Sequence, residues 1–243
     1  MRISQSLTTT ADGWMLAACY SAATVYTVSC TQSTTTPTLY PAPLNHHPLY
    51  VPSVASPLPF PDNYFDAIIS RSISTILGNE EWAPCLFDSM RVLKPGGQLE
   101  ILSLDAHISR EGPMLSAWAD HYTTDRLEAQ GLSMQPSDTV LDTMDIVGLE
   151  DIRRARVALP AHAAPSASTK DIIETSRMMM LLGRHFYQDL YARFLHVGQG
   201  EEWFWERKDI REECNRQQAK MVLTITRAQK PSVTMNRQSF LSM

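Results

Sequence analysis

The sequence predicts an α/β fold with a doubly wound, mostly parallel sheet that is covered by helices on both faces. Short apolar runs such as residues 65–71 ("FDAIISR") alternate along the chain with longer segments of helical periodicity. These runs lack the alternating polar residues of a half-exposed strand, which is typical of parallel strands buried on both faces. With 243 residues, 44% of them hydrophobic, the chain can build one large core. We therefore predict a single domain over residues 1–230 and a frayed tail over residues 231–243.

Composition and charge argue against several classes of function. A formal net charge of −5 argues against a nucleic-acid-binding surface, because phosphate contacts need a cationic face. The four cysteines show neither metal-type nor paired spacing, which is typical of free thiols in a reducing compartment. No apolar run reaches the ~18 residues of a membrane span. We expect a cytoplasmic protein that binds a small molecule and no nucleic acid, membrane or metal, with a homodimer or a protein partner left open.

The N-terminal part of the chain predicts little regular structure. Residues 23–28 ("ATVYTV") have the β-branched and aromatic density of a buried strand, and the preceding "MLAACY" favours a short helix. Residues 31–48, rich in Pro, Ser and Thr, predict a loop. The earliest strand would be residues 4–8 ("SQSLT"), whose poorly apolar composition leaves open whether a first strand forms.

From residue 61 onward, predicted strands and helices alternate. Residues 80–93 predict an amphipathic helix with Pro84 in its first turn, where a missing N–H costs nothing. The turn at residues 94–97 ("KPGG") leads into a strand over residues 98–104, since proline fixes φ and glycine accepts a positive φ. The other predicted elements are a helix over 116–132 closed by Gly131, a strand over 148–160, mainly helical structure over 168–218 and a last strand over 220–228.

Three segments taken together resemble the class I S-adenosylmethionine-dependent methyltransferases, in particular the fungal secondary-metabolism branch of that family. They are "PLPFPDNYFDAIISR" (57–71), "RVLKPGGQLEILSLD" (91–105) and "VGLEDIRRARVALP" (147–160). The resemblance implies a Rossmann-like sheet with a terminal antiparallel strand and S-adenosyl-L-methionine as cofactor. It also implies a cofactor-binding half within residues 1–56 and a helical, substrate-side insertion over residues 168–218.

The resemblance also implies positions for cofactor binding. The glycine-rich loop aligns with residues 9–13, where Asp12 and Gly13 keep part of the pattern but Thr9 and Ala11 replace glycines. The other implied positions are the ribose position Ser29, the adenine positions Val54 and Ala55, and Ser70 and Arg71 after the fourth strand. Because Ser29 replaces an acidic residue and two loop positions gain a Cβ atom, we predict weakened cofactor binding.

Four residues are candidates for acceptor chemistry. His107, two residues after Asp105 at the predicted sheet rim, is the candidate base, with an exposed loop histidine as the alternative. Asp105 either faces a ligand or caps a helix. Tyr187 and Trp203 belong to an aromatic set that predicts either core packing or an apolar acceptor pocket.

Three functions follow as hypotheses. The first is transfer of a methyl group from S-adenosylmethionine to a small-molecule acceptor of the secondary-metabolite type. The second is an enzyme of the same fold that catalyses cyclisation or rearrangement, and the third is a catalytically inactive partner or regulator. The incomplete glycine pattern favours the second and third, whereas the aromatic C-terminal third favours the first two. A truncated gene model and a genuine loss of cofactor binding are both open explanations for the N-terminus.

Overall fold

The computed structural model describes residues 2–6, 10–30, 42–55, 57–162, 169–196 and 200–232, of which 2–6 and 10–12 are described by backbone alone. The substituted loop position Thr9 and residues 233–243 of the predicted tail lie outside the described residues. The domain boundaries therefore stay predictions.

A single seven-stranded sheet organises the described residues. Its strands are β1 (Arg2–Ser6), β2 (Thr24–Ser29), β3 (His46–Tyr50), β4 (Phe65–Ser70), β5 (Leu93–Leu104), β6 (Glu150–Pro160) and β7 (Lys220–Gln229). They lie in the order β3-β2-β1-β4-β5-β7-β6. Strands β1 to β5 pair in parallel, and β7 is inserted antiparallel between β5 and β6. The predicted doubly wound sheet with a terminal antiparallel strand is confirmed.

Helices cover the two faces of this sheet. They are α1 (Thr10–Cys19), α2 (Trp82–Val92), α3 (Pro113–Ala119), α4 (Asp125–Ala129), α5 (Pro136–Ile146), α6 (Lys170–Tyr191) and α7 (Lys208–Gln217). A 3-10 turn over Ile73–Thr75 follows β4, a π-helical turn over Asp120–Thr124 joins α3 to α4, and a second 3-10 turn over Ala192–Phe194 follows α6.

The two faces of β5 show how the core divides. Leu99 and Ile101 pack with α2 and α5, whereas Leu102 and Leu104 point to the opposite face and pack with α3, α6 and α7. This alternation follows from the two-residue period of a strand. Both faces are apolar, as expected for a central strand of a parallel sheet. No helix among the described residues is long and apolar enough to cross a membrane.

Two N-terminal predictions are corrected. A first strand does form, at Arg2–Ser6 rather than residues 4–8, and it lies in the middle of the sheet between β2 and β4. The predicted loop over residues 31–48 ends earlier, because His46 begins β3. Pro48 is tolerated there since β3 is an edge strand with one neighbour, β2.

The Lys94–Gly97 segment is a bulge within β5 rather than a turn before it. Between the register pairs Phe65–Leu93 and Ala67–Gln98, β5 contains more residues than β4. Gly96 has a φ of 75°, which a residue without Cβ accepts at little cost. Lys230, just after β7, donates its backbone N–H to the carbonyl of Gly97. The bulge therefore ties the start of β5 to the end of β7.

Candidate cofactor and acceptor site

The carboxyl ends of four parallel strands meet at one edge of the sheet. Strands β1, β2, β4 and β5 end at Ser6, Ser29, Ser70 and Leu104, and Ser6 lies directly beside Ser70 in the register. Open α/β sheets bind their ligands at this edge, where strand order reverses around the first strand. We refer to it as the site edge.

The end of β2 and the loop after β3 lie against each other at the site edge. Ser29 ends β2 beside Tyr50 of β3. The next residue, Cys30, has its thiol pKa raised by burial, partly offset by a hydrogen bond to the backbone of Val54. The predicted ribose and adenine positions are therefore neighbours. Val54 is buried and Ala55 half-buried, so this part of the site is apolar and uncharged.

A small cavity lies beneath the same loops. Its volume is about 30 Å³, which is room for a buried water rather than for a purine ring. It is lined by Val28, Val54, Leu58, Ile68, Ser70, Ile73, Cys85, Leu86, Ser89, Leu99 and Ile101. The hydroxyl of Ser70 is buried there without a hydrogen-bond partner. The cavity thus offers one unused polar group among apolar side chains.

The predicted glycine loop only partly coincides with the connection between β1 and α1. Helix α1 begins at Thr10, so Ala11, Asp12 and Gly13 are helical, and the side chain of Asp12 lies outside the described ones. A Cβ atom on Gly13 would lie 2.1 Å from Thr27 Oγ1 and 2.7 Å from His46 Nε2. Gly13 thus lies in a helix rather than in a loop, and its missing side chain lets α1 pack against β2 and β3. Its assignment to cofactor binding stays a prediction.

These residues fit a nucleoside in part. The hydroxyl of Ser29 can bond a ribose hydroxyl and Val54 and Ala55 can pack against a flat base, but neither position supplies a carboxylate. A neutral hydrogen bond contributes about 0.5–1.5 kcal/mol, less than a bond to a charged group. Among the described side chains, the donor set would hold a nucleoside through neutral contacts. Weakened cofactor binding stays a prediction.

The turn after β4 connects the site edge to the C-terminal helices. Arg71 is half-buried, and the hydroxyls of Ser72 and Ser74 are buried without a partner. The carbonyl of Thr75 accepts a hydrogen bond from the guanidinium of Arg193, which lies in the 3-10 turn after α6. The sequence reasoning missed Arg193, because nothing in "YARFLH" indicates that its partner lies in the turn after β4.

Asp105 holds a helix in place. Its two carboxylate oxygens accept hydrogen bonds from the backbone N–H and the hydroxyl of Ser137, at 3.0 and 2.5 Å. Ser137 lies in the first turn of α5, where backbone N–H groups lack partners within the helix. Of the two interpretations of Asp105, the structure shows the helix cap, and the assignment of Asp105 to substrate binding stays a prediction.

His107 is placed poorly for a base. Its Nδ1 lies 2.7 Å from a carboxylate oxygen of Glu111, and its Nε2 lies 3.2 Å from both Asp120 and Thr124. The hydrogen bond to Glu111 raises the pKa of His107 above its usual value, against the opposing effect of burial. A base must be unprotonated, whereas this environment favours the imidazolium. His107 links the end of β5 to the π-helical turn, and its role as a catalytic base stays a prediction that this environment does not favour.

The aromatic residues of the C-terminal third form core. Tyr187 is fully buried and donates its hydroxyl to the carbonyl of Ala106 at 2.8 Å. Trp203 is 4% exposed, and its ring stacks on that of Trp205 at 4.8 Å between centroids. Both residues belong to the cluster that packs on one face of the sheet. The structure therefore places Tyr187 and Trp203 in core packing, and their assignment to acceptor binding stays a prediction that this burial does not favour.

Comparisons with known proteins find similarity in the N-terminal part of the chain. Residues 12–101 match the family model for the methyltransferase domain. The ubiquinone/menaquinone biosynthesis C-methyltransferase UbiE of Francisella philomiragia is 47% identical over 75 residues, which are 30% of this chain and 28% of that protein. The UbiE of Salmonella paratyphi B is 35% identical over 121 residues, 42% of this chain and 46% of that protein. The chain thus spans less than half the length of these curated relatives.

Solved structures share the architecture over almost the whole chain. The [4+2]-cyclase SpnF covers 96% of this chain and 76% of its own, with a TM-score of 0.52 and 18% identity. Phosphoethanolamine N-methyltransferase 2 of Haemonchus contortus, in complex with S-adenosyl-L-methionine, covers 95% of this chain and 49% of its own, with a TM-score of 0.54 and 14% identity. At these identities the likeness concerns the fold alone.

Proposed function

We propose that this chain is an S-adenosylmethionine-dependent methyltransferase. The premise is that it has the class I methyltransferase fold and matches the methyltransferase-domain model over residues 12–101. The observation that carries the proposal is the strand order β3-β2-β1-β4-β5-β7-β6 together with the site edge that it forms. The fold fixes where a ligand binds, and the residues at that edge decide what binds there.

The chain's own residues hold and orient the ligand. Ser29 donates to or accepts from a ribose hydroxyl, while Val54 and Ala55 cover the base and exclude water from it. Ser70 ends β4 and Arg71 follows it. We assign both to the part of the site where the nucleoside and the acceptor would meet. S-adenosylmethionine, when bound, supplies an electrophilic methyl group on a sulfonium. Since such a transfer needs little covalent help, the protein contributes mainly alignment and desolvation.

We propose a small molecule, of the secondary-metabolite type, as the acceptor. The support is the sequence resemblance and the net charge of −5, which does not favour a nucleic-acid substrate. Because the aromatic residues of the C-terminal third pack against one another in the core, we place the acceptor at the site edge. A cytoplasmic location fits a small-molecule enzyme and belongs to the same proposal.

A second candidate is a protein of the same fold that does not transfer methyl groups, either an enzyme for cyclisation or rearrangement or a partner without activity. The observation that favours it is the absence of a carboxylate at Ser29 and Val54. A neutral site binds the nucleoside more weakly, which a methyltransferase must compensate elsewhere.

Calorimetric titration of the full chain with S-adenosylmethionine and S-adenosylhomocysteine tests the proposal. Micromolar dissociation constants, followed by transfer of an isotope-labelled methyl group to members of a small-molecule panel, are the expected result. No heat of binding at millimolar ligand would remove the methyltransferase assignment. Binding without transfer to any panel member would favour the second candidate.

A further inference from the structure

The side chain of Arg193 contacts the turn that follows β4 at the site edge. The guanidinium of Arg193 donates to the carbonyl of Thr75 and lies 4.6 Å from the ring centroid of Phe194. This contact spans 118 residues of sequence and brings the segment after α6 to the carboxyl end of β4. Arg193 itself keeps solvent-exposed surface, so a ligand can reach it.

The charge of Arg193 is not balanced by a carboxylate among the described residues. Some arginines of the described chain do have carboxylate partners, such as Arg91 with Asp88 and Arg126 with Glu201. Arg193 forms no ion pair with a described carboxylate, and burial alone lowers its pKa. A partly desolvated cation without a counter-ion is costly, because it loses hydration and gains no attraction in return.

The same turn also holds unused hydrogen-bonding groups. Ser74 is fully buried and Ser72 is 6% exposed, and neither hydroxyl has a partner. Buried polar groups without a partner are uncommon in native proteins and often indicate a water or an ion that binds there. The exposed guanidinium of Arg193 is therefore the group here that can bind an oxyanion, and it is held by a turn whose two buried hydroxyls have no partner.

We propose that Arg193 and the Ser72–Thr75 turn form a subsite for the carboxylate group of a small-molecule ligand. A guanidinium forms paired hydrogen bonds with a planar carboxylate, which gives orientation as well as affinity. The segment after α6 then acts as a specificity element, since it selects ligands that carry an anionic group at a fixed distance from the end of β4.

This inference rests on the proposed function only for the identity of the ligand. The carboxylate belongs either to the acceptor or to the methionine part of the cofactor, because both lie near the end of β4 in the proposed reaction. Two pairs of probes separate these sources. Benzoate and benzamide differ in charge but hardly in shape, and S-adenosylhomocysteine and 5′-methylthioadenosine differ in the amino-acid moiety and its carboxylate.

The test is calorimetric titration of the full chain and of its Arg193→Gln variant with all four probes. We expect wild type to bind one anionic probe about tenfold or more tightly than its neutral counterpart, and Arg193→Gln to lose that preference. Loss confined to benzoate assigns the carboxylate to the acceptor, and loss confined to S-adenosylhomocysteine assigns it to the cofactor. Arg193→Lys keeps the charge but not the fork, so it should restore part of the preference.

Arg184→Gln is the matched control. Arg184 also forms no ion pair with a described carboxylate, lies 5.7 Å from the ring centroid of Trp205 and has a pKa lowered mainly by burial, but it belongs to α6. The inference is overturned if Arg193→Gln weakens charged and neutral probes alike, as a purely structural role would, or changes none. It is also overturned if Arg184→Gln has the same effect. Absence of any nucleoside binding would refute the proposed function while leaving the benzoate comparison decisive.

Discussion

Replacing Ser29 by aspartate should strengthen nucleoside binding. Ser29 is half-buried at the carboxyl end of β2, so a longer carboxylate can stay hydrated in the free protein and turn to a ribose when one binds. Hydrogen bonds to a charged group contribute about 1.5–3 kcal/mol each, against about 1 kcal/mol for a neutral one. A carboxylate that accepts from both ribose hydroxyls contributes about 3–6 kcal/mol and therefore gains about 2–5 kcal/mol over serine. Since 1.4 kcal/mol is a factor of ten, we expect an affinity increase of about 30-fold or more.

Calorimetric titration of wild type and Ser29→Asp with S-adenosylhomocysteine measures this increase. Adenine alone, which has no ribose, should bind both proteins equally. Ser116→Asp, at a half-buried position on α3 away from the nucleoside positions, is the matched control for added negative charge and should leave the affinity unchanged. An unchanged affinity for S-adenosylhomocysteine in Ser29→Asp would show that Ser29 does not face a ribose, and the placement of the nucleoside would be wrong.

Three further substitutions test the structure around the site. Glu213→Ala removes the buried carboxylate that accepts hydrogen bonds from two backbone N–H groups at the start of α3. Urea unfolding should therefore show a free energy of unfolding lower by about 2–4 kcal/mol, whereas the exposed control Glu212→Ala should change it by no more than about 0.5 kcal/mol. Equal losses in the two variants would contradict the cap. Glu111→Gln should lower the pKa of His107 in an NMR titration. A histidine whose pKa is raised in the folded state stabilises the protein at pH values below its unfolded-state pKa of about 6.5. This stabilisation is lost as the pH rises through the folded-state pKa, so the variant should lose more stability at pH 5.5 than at pH 9. The opposite pH trend would exclude the imidazolium link. Gly13→Ala should destabilise by about 1–3 kcal/mol because the added methyl group meets β2 and β3, and a neutral thermal shift would refute the close packing of α1.

The periodicity of apolar residues predicts correctly where those strands and helices lie that pack against the core along their whole length. The strands at residues 65–70 and 220–229 and the helix at residues 82–92 lie where their apolar patterns predict them, because each pattern meets one continuous core. The sequence pattern predicts no helix at α5 and a loop at β3, since Pro48 and neighbouring polar residues are acceptable only at a sheet edge. Edge positions depend on neighbours that a local pattern does not contain.

The site residues were harder to predict than the fold. Ser29 and Ser70 lie at strand ends as expected, because the strand boundaries place them there. The roles of Asp105 and His107 depend on Ser137 and Glu111, and a side-chain partner is a property of the folded chain rather than of a motif. The spacing of residues in the sequence predicts where a polar group lies, but the chemistry of that group depends on the neighbours with which it forms hydrogen bonds.

The insertion of β7 between β5 and β6 constrains the order in which the chain can assemble. During synthesis β6 emerges before its only neighbour in the sheet, and residues 161–219 must follow before β7 is available. Until then, β5 has one edge and β6 has two edges whose backbone N–H and C=O groups are unpaired. A chaperone or another nascent chain can therefore contact this unpaired backbone in a ribosome-bound intermediate. Final closure of the domain therefore waits for its last strand.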